Sequence, residues 1–415
     1  MIEGTNSNTT IFEDFLDIIP AVDCGASFDV IHDLERRRDN VLNGGINCIP
    51  LPLPRFREDW PGLEHEQYIV ITASSKIGKT QITSNLCLYS VLEYAFEHPH
   101  QCSVDFLYFN LEESRERIYQ RYMSHLLYKF DQWRLSPRDL RSTSVEYPLP
   151  EEALELLKSE KYQQRLKFFD DHVHFNNVDT NPTGILRVCE EWARKVGKYT
   201  SRTVLSRDGS GRKVEEFVDY QLNDPNHYTI VLVDHVRNID LERGYTQKQN
   251  IDKFSEYALK YMRDRYKQCV IAIQQQATET EGLEAIKQKR MTPSVAGLAD
   301  SKYTTQDANM VVSYFDPNLF GLPNWCGYKI NDVDGTGLKD YARFMTVLRG
   351  RDGEVGGTCP LFFDGAVCHV EELPPPDNVA ELTKYYTRVQ NMKSYRQQKK
   401  FSSLALFNFI KNLFL

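Results

Sequence analysis

The residues best equipped for chemistry lie in the stretch "YIVITASSKIGKTQITSNLCLY", Tyr68 to Tyr89, where Gly78-Lys79-Thr80 follows an apolar run and precedes a helical pattern. A strand, a tight turn and a helix start in that order aim backbone N–H groups and a helix dipole at a phosphate. Ala73, Ser74, Ser75, Lys76, Ile77, Gly78, Lys79, Thr80 and Gln81 would form the cradle. Gly78 would let the main chain approach closely, Lys79 would reach the outer phosphates and the Thr80 hydroxyl would bind Mg²⁺. The usual pattern asks for Gly where Ala73 stands. Ala is small enough for many turns, so the mechanism survives the change.

A phosphate loop needs a carboxylate at the end of another parallel strand to orient Mg²⁺ or its waters. "YTIVLVDHV" offers Asp234 in that place. Alone, such an Asp reads equally as a cap on the next helix; beside the phosphate loop it reads as a metal-associated group. Hydrolysis also needs a base for the attacking water. "VDFLYFNLEES" ends in Glu112-Glu113, which would lie beside the γ-phosphate if its strand neighbours the phosphate-loop strand. Either Glu could instead cap the following helix. "CVIAIQQQ" ends in Gln274-Gln275-Gln276, and an amide there can bond the γ-phosphate and signal its presence to the next loop.

These groups require a scaffold that brings strand ends to one edge. From Tyr68 onward, short β-branched runs ("YIVIT", "VDFLYFN", "HVHFNN", "YTIVLVD", "CVIAIQQ", "ANMVVSYF", "ARFMTVL") alternate with amphipathic helical stretches such as "GILRVCEEWARKVGK". That texture predicts an α/β fold, a mainly parallel twisted sheet with helices on both faces, over residues 46–375. "SRTVLSRDGSGRKVEEFV" (201–218) interrupts the order and predicts an inserted β-hairpin turning at Asp208-Gly209. Residues 1–45 read as a loose arm and a narrow-striped helix, Phe28 to Asn43, tethered by the Pro-rich "IPLPLPRF". Residues 376–415 read as a helical tail ending in "FSSLALFNFIKNLFL", a segment suited to docking a partner or packing on itself.

Composition bounds the partners. The chain has 415 residues, 41% hydrophobic and 26% charged, as expected of a soluble globular protein. No apolar run is long enough to span a bilayer, and no secretory signal opens the chain. Nine dispersed cysteines, without C-x-x-C or metal-ligand spacing to histidine, predict reduced thiols in a cytoplasm rather than a zinc site. A net charge of −8 excludes a broad nucleic-acid-coating face, so any such contact must be confined to loops lining a channel.

Together these motifs resemble the RecA-like P-loop ATPase domain of DnaB-type replicative DNA helicases, over about residues 28–372. That family's phosphate loop also begins with Ala. "YFNLEES" resembles its Ser-Leu-Glu-Met-Ser segment, which makes Glu112 the catalytic base. Asp234 corresponds to the Mg²⁺-associated Asp and Gln275 to the glutamine after the next strand. "GLADSKYTTQDANMVVSYF" resembles a DNA-contacting loop and the strand after it, which implies DNA contacts at Ser301 and Lys302. The basic "KQKR", with Lys287 and Arg290, lies in the preceding loop and reads equally as solvated surface. "VLRGRDGEVGG" resembles Lys-x-Arg-Asn-Gly-x-x-Gly, whose basic pair enters the neighbouring subunit's ATP site. Arg351 then corresponds to the arginine finger and Arg349 to the accompanying lysine. Phe28 to Asn43 falls where the family has the linker helix that packs on an adjacent subunit.

The resemblance implies ATP and Mg²⁺ as cofactors, single-stranded DNA as partner, a hexameric homo-oligomer, 5′→3′ movement and replisome partners for the C-terminal tail. Only about 27 residues precede the linker helix, so the family's N-terminal primase-binding domain is not expected, as suits a phage-type member in a bacterial cytoplasm. His235 stands where the family has Tyr, and Ala299 and Lys302 depart from the DNA-loop pattern. Two other readings use the same residues: a RecA- or KaiC-like ATPase or recombinase, and a catalytically weak ring scaffold. The "RGRDG" turn and linker helix favour the helicase over the first; intact Lys79, Glu112 and Arg351 favour it over the second.

Overall fold

The computed structural model describes residues 27–206, 212–277, 291–298, 302–331, 335–351, 353 and 355–392. The strands that build the site and its surroundings are, in chain order, β1 (Gln67–Ala73), β2 (Ser103–Asn110), β3 (Val173–Phe175), β4 (Gly197–Leu205), β5 (Lys213–Leu222), β6 (His227–Asp234), β7 (Cys269–Gln275), β8 (Met310–Phe315), β9 (Ala342–Gly350), β10 (Thr358–Asp364) and β11 (His369–Glu372). Nine of them form one sheet in the order β11-β10-β9-β8-β1-β7-β6-β2-β3. The six from β8 to β3 are mutually parallel. On the other side, β9, β10 and β11 continue the sheet antiparallel from β8. Every strand run expected from the sequence is present, and β10 and β11 are additional.

The principal helices are α1 (Ser27–Leu42), α2 (Lys79–Ser84, continued by the π-helical turn Asn85–Tyr89 and by Ser90–Glu97), α3 (Arg115–Asp131), α4 (Glu160–His172), α5 (Pro182–Val196), α6 (Gln247–Tyr257), α7 (Tyr303–Asp307) and α8 (Val379–Asn391). Their starts carry the expected chemistry. Asn181 accepts the Gly184 N–H at 2.8 Å with Pro182 in the first turn of α5, and Thr246 and Gln249 form a reciprocal capping box on α6.

Strand side chains alternate between two faces. One face presents Ile69, Ile71, Ala73, Phe106, Tyr108, Ile230, Leu232 and Ile271 to α2, α3 and α4. The other presents Val70, Leu107, Phe109, Val231, Val233, Val270 and Ala272 to α5 and α6. Burial on both sides explains why these strands read as continuous apolar runs. A third cluster, including Phe344, Phe362, Leu382 and Val389, joins α8 to the antiparallel strands.

The inserted hairpin, β4–β5, is longer than the sequence suggested: it runs from Gly197 to Leu222 rather than from 201 to 218. Turn residues mark a hairpin's tip, whereas its base is set by packing. The Tyr220 hydroxyl donates to the Ala193 carbonyl at 2.9 Å, and its ring lies so close to Gly197 that a Cβ there would come within 2.4 Å of it. The turn at Asp208-Gly209, the arm before Ser27 and the apolar C-terminal segment fall outside the described residues.

Candidate nucleotide site

Asn110 on β2, Asp234 on β6, Gln275 on β7 and Ala73 on β1 all end parallel strands at the same edge. By alternation they share the face on which α2 packs, since Tyr108, Leu232, Ile273 and Ile71 precede them by two residues. An open parallel sheet binds its ligand at this carboxyl edge.

Ala73 is fully buried as the last residue of β1, which accounts for a small apolar residue where the pattern asks for Gly. The loop then turns through Lys76 at φ 61° and Gly78 at φ 96°. A Cβ on Gly78 would lie 2.6 Å from the Phe363 ring of β10, so both conformation and space require glycine. Arg343, at the start of β9, donates from Nε to the Ile77 carbonyl at 2.9 Å and pairs with Asp316 at 3.0 Å, fixing the loop from behind. Lys79 Nζ bonds the Ser74 carbonyl at 3.1 Å. The Ser74 hydroxyl is buried without a hydrogen-bond partner among the described residues. Gln81 turns its side chain away from the loop and donates to the Gly365 carbonyl at 3.1 Å.

Thr80 Oγ1 donates to Asp234 Oδ1 at 3.3 Å. Burial, with Glu112 and Glu113 nearby, pushes the Asp234 carboxyl up to about 7, against the opposing Thr80 bond. Among the described residues no Lys or Arg lies within ion-pair distance of it. A buried carboxylate that meets only a hydroxyl is matched to a hard divalent cation or its waters, so this donor set fits nucleotide-bound Mg²⁺.

The two glutamates differ. Glu113 is held by an ion pair with Arg121 of α3. Glu112 is about half exposed, and His235 Nε2 lies 4.0 Å from its carboxylate. The sequence argument set β2 beside β1, but β7 and β6 lie between them. Later strands insert into the gap left by a crossover, which periodicity cannot foresee. Glu112 approaches the site through Asp234, whose carbonyl accepts the Leu111 N–H at 2.8 Å.

Gln274 and Gln276 face away from the cradle. Thr304 Oγ1 donates to Gln274 Oε1 at 2.6 Å, while Gln276 Nε2 donates to Thr72 Oγ1 at 3.0 Å and to the Ser294 carbonyl at 3.2 Å. The chain after β7 is thereby tied back to β1. Lys302 is exposed at the start of α7; Ser301, Lys287 and Arg290 lie outside the described residues.

Arg349 and Arg351 lie at the opposite end of the sheet. Gly350 pairs with Met310, which pairs with Ile69, whereas the phosphate loop begins after Ala73. Four strand steps separate the two ends, about 13 Å before any side chain is counted. Arg349 donates to the Thr305 carbonyl at 2.6 Å, and Arg351 to those of Gln306 at 2.7 Å and Asp307 at 3.1 Å, all in α7. Neither serves its own chain's cradle. Arg343, Arg121 and Phe363 escaped the sequence reading; a charged residue opening the apolar "ARFMTVL" was the one available signal.

A phosphate loop at the carboxyl edge of this sheet, with Asp234 two strands away, defines a RecA-like P-loop ATPase fold. No protein-family model matches the chain, and no curated protein matches it in sequence. The likeness is in three dimensions. A solved helicase ATPase domain is similar at TM-score 0.58 and 15% identity, over 85% of this chain and 100% of that one. A DnaB-like replicative helicase, described with its interactions with primase, is similar at TM-score 0.56 and 15% identity, over 84% of this chain and 68% of that one. The chain has the fold of DnaB-type helicase ATPase domains.

Proposed function

We propose that this chain is an ATP-hydrolysing DNA helicase that works as a ring, a hexamer, translocating 5′→3′ on single-stranded DNA, with each ATP held between two subunits. The observation that carries this reading is the separation of Arg349 and Arg351 from their own phosphate loop. Guanidinium groups suited to a developing phosphate charge then belong to a second copy's site. The exposed stripe of α1, Val30, Ile31, Leu34 and Val41, supports packing on a neighbour.

In this reading Lys79 exchanges the Ser74 carbonyl for phosphate oxygens. Thr80 and Asp234 hold Mg²⁺, which neutralises charge on the outer phosphates when bound. Glu112 takes the proton of the attacking water; it is available because Arg121 engages Glu113 instead. Gln275 contacts the γ-phosphate from the end of β7. Gln276, next in the chain, holds Thr72 and Ser294, so a displacement of that strand end passes into the segment leading to Lys302. Ser301, Lys302, Lys287 and Arg290 would meet DNA in the channel, leaving the acidic remainder outward. The C-terminal tail would dock replication partners in the cytoplasm.

Mixing two inactive variants tests the shared site. Lys79→Ala should bind and hydrolyse no ATP, and Arg351→Ala should bind but not hydrolyse. Mixed subunits should regain turnover, because some interfaces pair an intact cradle with an intact arginine. A fully active Arg351→Ala protein, or a mixture as inactive as its components, would refute it.

A further inference from the structure

We infer that Tyr303, with Tyr245, Lys248 and Lys302, forms a stacking platform that grips the bases of a single DNA strand. This deepens the helicase reading and rests on it. Among the described tyrosine, phenylalanine and tryptophan side chains, only Tyr245 (41%) and Tyr303 (52%) are open to solvent over so large a share of their surface. Both flank helix starts that lie together: Tyr245 precedes the Thr246 cap of α6, and Tyr303 opens α7. Ser255 Oγ donates to Asp307 Oδ2 at 2.7 Å, binding α6 to α7, and Lys248 Nζ lies 5.7 Å from the centroid of the Tyr303 ring.

The charges nearby point to a polyanion. Lys253, beneath Tyr245, is matched by Glu242 at 2.6 Å. Lys248 and Lys302 are exposed, and among the described residues neither has a carboxylate within ion-pair distance. The fold does not need the Tyr303 ring. Buried Thr304 and Thr305 anchor α7, through Gln274 and through the Lys302 carbonyl at 2.7 Å. Phosphates alone would be served by lysines. An aromatic face offered to solvent between two such lysines suits a strand whose bases are unstacked, because every base has a π-face to cover it. Tyr303 takes the base, and Lys248 and Lys302 take the adjoining phosphates.

The test is fluorescence anisotropy with full-length protein, Mg²⁺ and a non-hydrolysable ATP analogue, comparing labelled oligo-dT with an abasic strand of equal length. Wild type should prefer oligo-dT. Tyr303→Ala should weaken oligo-dT binding about five- to hundred-fold and leave abasic binding nearly unchanged, while Tyr303→Phe retains the preference. Lys248→Ala should weaken both and flatten the salt dependence by about one phosphate contact. If Tyr303→Ala affects both strands equally, affects neither, or acts by changing assembly size in light scattering, the platform is wrong and the helicase reading stands. If wild type binds neither strand, both fall.

Discussion

Asp234 offers the sharpest quantitative test, because its burial has a pH signature apart from catalysis. An isolated aspartate titrates near 3.8, and this one is pushed up to about 7. In nucleotide-free protein the folded state therefore holds a proton that the unfolded chain has released between those values. An acid with a raised folded pKa contributes stability that is complete below 3.8 and is lost as pH rises through about 7. At about 1.4 kcal/mol per unit, the roughly three-unit shift corresponds to about 4 kcal/mol once the carboxylate is ionised. About 1.6 kcal/mol of that is already lost at pH 5, so about 2–3 kcal/mol remains to be lost between pH 5 and 8. Asp234→Asn keeps the shape and an acceptor for Thr80 but cannot ionise. In EDTA the variant should gain on wild type by that amount across the range, read from denaturant midpoints at each pH. Adding Mg²⁺ with an ATP analogue should restore wild type at pH 8 and help the variant far less. Parallel wild-type and variant curves between pH 5 and 8 would refute the claim that this carboxylate is buried without a cationic partner.

Arg343→Met should destabilise the fold by about 3–5 kcal/mol, since it strands Asp316 in the interior, and should weaken ATP binding by releasing the Ile77 carbonyl. Thermal melts and nucleotide titration measure the two effects separately. Gly78→Ala should cost at least about 1 kcal/mol and abolish nucleotide binding, with partial recovery when Phe363→Leu relieves the contact but not the backbone strain. Ile31→Asp with Leu34→Asp touches exposed positions, so the fold should change by under about 0.5 kcal/mol each. Assembly by light scattering and ATP turnover should fall together; undiminished turnover in a monomer would contradict a site shared between subunits.

The phosphate loop and Asp234 were legible because each is a polar interruption directly after a strand buried on both faces. Side-chain alternation even separates Gln275 from Gln274 and Gln276, once the strand is granted. Neighbour relations were not legible. Nothing in "VDFLYFNLEES" says that two later strands will insert between it and the phosphate-loop strand. Arg343 was hidden for a related reason: its role depends on which strand end its residue meets, and that is fixed by pairing across 266 positions of chain, from Ile77 to Arg343. The hairpin's tip had a turn signal; its base, held by Tyr220 against Gly197, had none.

The same limit applies to Arg349 and Arg351, and here topology decides more than motif. β9 spans nine residues, Ala342 to Gly350. At about 3.3 Å per residue its two ends are roughly 26 Å apart. Because β9 runs antiparallel to β8, its first residues meet the phosphate loop, where Arg343 holds Ile77. Its last residues must then emerge at the far edge, where the arginine pair caps the carbonyls of α7. Had β9 paired parallel, the pair could have reached its own cradle and no second subunit would be called for. One rigid strand thus supports its own site at one end and presents two guanidinium groups away from it at the other. Whatever phosphate they meet belongs to another molecule.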